Sequence, residues 1–136
     1  MKEKIRFQNS SWNFRLDKVS LYSYCHDAFT KEECEEIIKI ANTKGLIKGR
    51  TRSKNQNSIR KSKISWLYPS DNMAWVFRRV TDIVLNLNER FFNFDIFGLN
   101  EGFQFTNYKA PSNKYGKHVD RGTDFVVRKL SISIQL

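Results

Sequence analysis

Cysteine is scarce in this chain of 136 residues: only Cys25 and Cys34 occur, and they lack C-x-x-C spacing. That excludes the framework of a small secreted protein, and the two thiols are expected to be buried rather than bridged. Acidic residues are also in short supply. Fourteen Asp and Glu face twenty-four Lys and Arg, for a formal charge of +10. Such an excess suits an anionic partner or an acidic substrate and carries no information about fold. Long apolar runs are missing: none approaches the roughly 18 residues of a membrane span. The opening Met1-Lys2-Glu3-Lys4-Ile5-Arg6 has no apolar centre of a secretory signal. No internal repeat or low-complexity tract appears. What is present is a 40% hydrophobic, 14% aromatic chain, too apolar for a disordered tail or a purely electrostatic binder. The expectation is one basic globular domain or part of one, intracellular and cytoplasmic, with no membrane partner.

Val19 to Tyr24 alternates in the period-2 manner of a half-buried strand. Thr30 followed by Glu33 has the form of a helix capping box, and Cys34, Ile37, Ile38 and Ala41 then share one helical face. Gly45 is a natural stop. Residues 44–63 hold eight basic residues and no acidic one, among Gly, Ser, Asn and Thr, and read as an exposed loop. A second helix is expected from Asp71 as N-cap. Met73, Val76, Phe77, Val80, Ile83, Val84 and Leu87 trace its packing stripe. After Phe91 the chain changes to short β segments at 94–97, 102–108, around His118 and from Phe125 onward. Leu130, Ile132, Ile134 and Leu136 share one face of the last of these, with Ser131, Ser133 and Gln135 on the other. Two helices followed by closely spaced strands predict an α+β arrangement.

The pattern that carries chemistry is His118-Val119-Asp120. Residues two apart on a strand project to the same face, so an imidazole and a carboxylate can reach one metal ion. They are two thirds of the 2-His-1-carboxylate triad of non-haem Fe(II) oxygenases. By itself H-x-D is also the pattern of an ordinary surface pair.

The surrounding residues add a resemblance. Gln104-Phe105-Thr106-Asn107-Tyr108, Tyr115-Gly116-Lys117-His118-Val119-Asp120 and Arg128-Lys129-Leu130-Ser131 together resemble the prolyl 4-hydroxylase-like branch of the Fe(II)/2-oxoglutarate-dependent dioxygenases. Tyr108, Tyr115, His118 and Asp120 keep the spacing of that family's tyrosine and H-x-D signature. Ile59 to Leu67 is similar to its strand before the second support helix. The resemblance covers roughly residues 26–136. It implies a double-stranded β-helix, or jelly roll, braced by helices, with a support region over about 1–93 and the first jelly-roll strands over about 94–136. It implies Fe(II) on His118 and Asp120, 2-oxoglutarate as co-substrate, and L-ascorbate as a further candidate. Tyr108 would reach the co-substrate carboxylate, or else be a core tyrosine. Gln135 would be a second polar contact to that carboxylate. Tyr115 and Arg128 would line the substrate mouth, or be an ordinary packed ring and a solvated guanidinium. The implied reaction hydroxylates a prolyl or related side chain in a peptide or protein.

The family's second iron-binding histidine, and the Lys or Arg beyond it, find no match. No histidine follows His118, and His26 lies on the wrong side of the motif. The expectation is an incomplete oxygenase domain, inactive or nearly so by itself, whose barrel needs a missing C-terminal segment or a second chain. Two other classes compete. A non-enzymatic nucleic-acid-binding module would use the basic stretch 44–63 with Trp66 and Tyr68 for phosphate contacts and stacking. A degenerate oxygenase fold would keep the pocket as a binding scaffold without turnover.

Overall fold

Thr30 sets the first helix. Its Oγ1 accepts from the Glu33 amide at 3.3 Å while the Glu33 carboxylate accepts from the Thr30 amide at 2.9 Å, closing the capping box. Helix α1 (Lys31–Thr43) then buries Ile37 and Ala41 one turn apart. It ends at Gly45, whose φ of +83° is open to glycine without the penalty a Cβ would bring. In the computed structural model, which describes residues 20–49, 60–99, 101–111, 113–118 and 128–136, five strands and a second helix follow. These are β1 (Ile47–Lys48), β2 (Arg60–Lys61), β3 (Lys63–Leu67), α2 (Ala74–Leu87), β4 (Phe103–Asn107) and β5 (Lys114–Tyr115). The chain is a mixture of helix and antiparallel sheet, as the α+β expectation requires. No helix among the described residues is long and apolar enough to cross a membrane.

The strands form two antiparallel sheets. One runs β1-β3-β4, the other pairs β2 with β5. Between β2 and β3 stands the single buried residue Ser62, whose carbonyl accepts from the Gly49 amide at 2.9 Å. One extended stretch therefore serves both sheets and changes partners at Ser62. In the larger sheet Leu67 lies opposite Phe103, Ser65 opposite Phe105 and Lys63 opposite Asn107. Cross-strand partners share a face. Leu67, Phe103 and Phe105 meet the helices on that face, in a cluster with Ile37, Ala41, Met73, Val76 and Val80. Phe77 of α2 stacks on Phe103 with ring centroids 4.1 Å apart.

An ion pair ties the helices together. The Arg79 guanidinium donates from both terminal nitrogens to the Glu33 carboxylate, at 2.6 and 2.8 Å, and also to the Ala28 carbonyl at 3.2 Å. Phe29 and Trp75 lie 5.2 Å from the guanidinium carbon, within cation–π range. This bidentate geometry is the kind that distinguishes a useful ion pair from a frayed surface contact. Past α2, the buried Asn88 amide bonds both backbone groups of Phe94, at 2.8 and 3.0 Å, and so brings the chain back. Gly102 enters β4 where a Cβ would stand 2.7 Å from the Leu67 carbonyl. Close approach, rather than an unusual φ, is what asks for glycine there.

Several expectations are corrected. Ser20–Tyr24 and residues 94–97 form no strand, and neither does 128–136. Ile132, Ile134 and Leu136 are exposed rather than covered. Val19 and residues 125–127 lie outside the described residues. The stretch 44–63 is not wholly loop, since it contributes β1, β2 and the first residue of β3, while residues 50–59 lie outside the description. Asp71 does not cap α2. Asn72 turns left-handed (φ +59°) and the helix begins only at Ala74. The Asp71 carboxylate instead accepts from the Tyr68 amide at 2.7 Å and from Lys44 Nζ at 2.5 Å. Both cysteines are free, and Cys25 is exposed rather than buried.

Replacing the buried Leu67 by Ala should lower unfolding stability by about 2–5 kcal/mol. The same change at Leu85, which is half exposed, should stay within about 0.5 kcal/mol. Urea denaturation compares the two. The Arg79 and Thr30 hydrogen bonds hold the Glu33 carboxyl below the usual range. Lys44, and then the Tyr68 amide, do the same for Asp71. A carboxyl depressed in the folded state stabilises above its unfolded value and loses that contribution as pH falls through the folded one. Thermal unfolding should therefore weaken below about pH 4.3, the ordinary Glu value. Glu33→Gln should be less stable at neutral pH and show a shallower acid limb.

Candidate functional site

β5 is short because Gly116 follows it at once, and the chain turns there toward His118. Pairing of Arg60 with Tyr115 and of Lys61 with Lys114 anchors this segment to β2. The imidazole of His118 then folds back over Tyr115. Their ring centroids are 3.7 Å apart and the planes 20° from parallel. Nδ1 of His118 lies 2.8 Å from the Gly116 carbonyl. A carbonyl only accepts, so Nδ1 is the donor in this contact. Metal-binding histidines are commonly held this way, with the other ring nitrogen donating to a backbone carbonyl. His118 is exposed and Tyr115 half-buried.

Asp120 lies outside the described residues. Among the described residues no group of three or more His, Cys, Asp or Glu is arranged to hold a metal. The Nδ1 contact, exposure and ring restraint of His118 suit a ligand role.

Tyr108 follows the end of β4. Gln104 and Thr106 alternate with the helix-facing Phe103 and Phe105, and Tyr108 continues their parity, which puts it on the sheet face away from the helices. It is half exposed. β3 and β2 connect β4 to β5, so one extended stretch carries both the tyrosine and the histidine segment. The structure brings Tyr115 and His118 into contact and leaves Tyr108 on a neighbouring strand end.

The other two residues have different surroundings. Arg128 donates to the Glu101 carboxylate at 2.9 Å, with both side chains about half exposed. Beside it Lys129 Nζ donates to the Asp95 carbonyl. Gln135 lies in a cleft of about 980 Å³ formed by residues 20–29, the C-terminal half of α2 and residues 129–135. Its Nε2 is 3.4 Å from Ser133 Oγ. Val80, Ile83, Val84 and Leu87 supply the cleft's apolar wall, and Tyr108, Tyr115 and His118 take no part in it. Sequence spacing did not single out this cleft, because its two outer walls are segments expected to be strands. His26 is exposed ahead of α1, edge-on to Tyr24 at 4.9 Å, as expected of a helix-flanking residue. Trp66 is half-buried in β3.

No protein-family model, curated protein or solved structure matches this chain.

The stacked pair makes a direct prediction. Ring current from Tyr115 should shift the His118 carbon-bound protons upfield. Two-dimensional NMR should show that shift retained in Tyr115→Phe and lost in Tyr115→Ala.

Proposed function

We propose that this chain carries part of an Fe(II)/2-oxoglutarate-dependent dioxygenase domain of the prolyl 4-hydroxylase-like kind, and that it acts on an amino-acid side chain in a peptide or protein. The observation that supports the reading best is the hold on His118. Its Nδ1–H is directed to a backbone carbonyl and its ring is restrained by Tyr115, the kind of hold that orients a histidine whose other nitrogen binds a metal. The arrangement of α1 and α2 on one face of the β3–β4 sheet, with Tyr108 on the other, is compatible with a helix-braced jelly roll whose inner face carries the chemistry.

In this reading His118 and Asp120 hold the iron, two residues apart as the H-x-D pattern requires. The Tyr108 hydroxyl donates to a carboxylate of 2-oxoglutarate. Bound iron and 2-oxoglutarate would together let dioxygen, the oxidant, hydroxylate a C–H bond while 2-oxoglutarate is oxidised to succinate and carbon dioxide, with L-ascorbate as an accessory reductant. The chain's own task is orientation. The Gly116 carbonyl accepts from Nδ1 of His118, and Tyr115 limits rotation of its ring. Residues 119–136 contain no histidine, so a third protein ligand must come from another segment or another chain. Gln135 and Arg128 are left out of the assignment, since one lies in the cleft beside α2 and the other pairs with Glu101.

Anaerobic Fe(II) titration tests the claim. The chain should bind weakly, and His118→Ala and Asp120→Ala should each weaken binding by at least the roughly 10–100-fold associated with loss of a supporting partner. Equal affinity in all three proteins would remove the metal site. Succinate release from 2-oxoglutarate by this chain alone should be negligible. Robust turnover would show that no further ligand is needed.

A further inference from the structure

The positive charge of this protein is concentrated. Residues 44–68 and 102–118 together hold eleven Lys and Arg and no acidic residue, whereas the rest of the chain holds thirteen basic against fourteen acidic. The whole excess therefore lies in the two stretches that contain the paired strands, with residues 50–59 of the first outside the described residues. Within them, like charges are placed directly opposite. Lys48 pairs in register with Lys63 across β1 and β3, and Lys61 with Lys114 across β2 and β5. All four are exposed, as is Lys117, beside His118. Directly opposed like charges destabilise a sheet. Two such pairs stand one on each side of Ser62, and the Lys61–Lys114 pair adjoins the segment that leads to His118.

We infer that these lysines form the docking surface for an acidic polypeptide, which they lead toward His118. The choice of a polypeptide rests on the function proposed above, whereas the charged surface itself does not. Two features favour it over nucleic acid. The four cations set opposite one another are lysines, hydrated point charges without the planar fork that reads phosphate and stacks on bases, and Arg60 is the one described arginine beside them. The Tyr115 ring already has a face against His118, so it is a poor platform for base stacking. A competing account makes the lysines guards of short strand edges against aggregation. That account does not require the cations to be opposite one another.

Fluorescence anisotropy with the whole chain, free of iron and 2-oxoglutarate, tests the inference. The probes are a labelled glutamate-rich peptide and a single-stranded DNA oligonucleotide of matched charge. The peptide should bind more tightly, with affinity falling as salt is raised. The double variant Lys61→Ala/Lys114→Ala should weaken peptide binding roughly tenfold. Lys39→Ala/Arg78→Ala, which removes the same charge from the helices, should leave it unchanged. Relief of repulsion should keep the thermal midpoint of the first variant at or above that of the parent, so lost binding cannot be ascribed to unfolding. Tighter binding of the oligonucleotide would overturn the assignment in favour of nucleic acid. Absence of peptide binding, or an aggregating variant with unchanged peptide affinity, would overturn the docking surface. Peptide binding that survives while the Fe(II) titration fails would leave the surface standing and remove the oxygenase reading.

Discussion

The stretch from Arg60 to Leu67 is the constraint on which the other parts depend. Its first two residues pair with β5 and its last five with β1 and β4, and the change of partner occurs at the buried Ser62. Leu67 inserts from one end of it into the helix layer. The other end holds the strand that precedes His118. If this stretch slipped by one residue, Leu67 would leave the core face, and Lys61 and Tyr115 would lose their partners at the same time. A single register thus ties core packing, the position of the histidine segment and the lysine arrangement to one another. Helices α1 and α2 fix that register by covering only one face of the sheet, and Arg79 keeps the helices together with two hydrogen bonds to Glu33.

Local signals were the legible ones. The Thr30–Glu33 box, the Ile37 and Ala41 face, the Gly45 stop and the stripe through Met73, Val76 and Val80 all depend on neighbours within a few turns, and each appears in the structure. Strand signals fared unevenly, for a physical reason. Alternation says that a segment has an apolar side, but a strand also needs hydrogen-bonding partners supplied from elsewhere. Phe103–Asn107 finds β3. Ser20–Tyr24 and Leu130–Leu136 alternate as clearly, yet the structure assigns them no strand, and they face each other across the cleft beside α2. Asp71 illustrates competition for a carboxylate. Lys44 and the Tyr68 amide occupy it, and the left-handed Asn72 separates it from the helix it seemed placed to cap.

In the candidate region, contacts between near neighbours can be followed along the chain and distant ones cannot. Tyr115 and His118 are three residues apart, so a turn at Gly116 is enough to stack them. The distribution of charge was visible along the chain only as a basic stretch. Its meaning depends on Lys61 meeting Lys114 across more than fifty positions, which no periodicity reveals. Gln135, which the resemblance places at the co-substrate carboxylate, lines the cleft beside α2.

These two features make different demands on the fold. The hold on His118 is local: Gly116 supplies the acceptor and Tyr115 the ring, both within three residues, so the histidine's hydrogen bond and tilt are set once the turn forms. The lysine surface is non-local and repulsive, so it exists only while β1–β3 and β2–β5 pairing outweighs the repulsion between its members. That pairing is in turn sustained by burial of Leu67, Phe103 and Phe105 beneath the helices. A core substitution that loosens β3 should therefore disperse the cations before it disturbs the tilt of the histidine. Charge concentration and the position of the histidine segment thus draw on the stability of the helix-backed sheet, whereas the tilt of His118 over Tyr115 is set within its own turn. Separate origins of this kind allow the surface and that tilt to be altered independently.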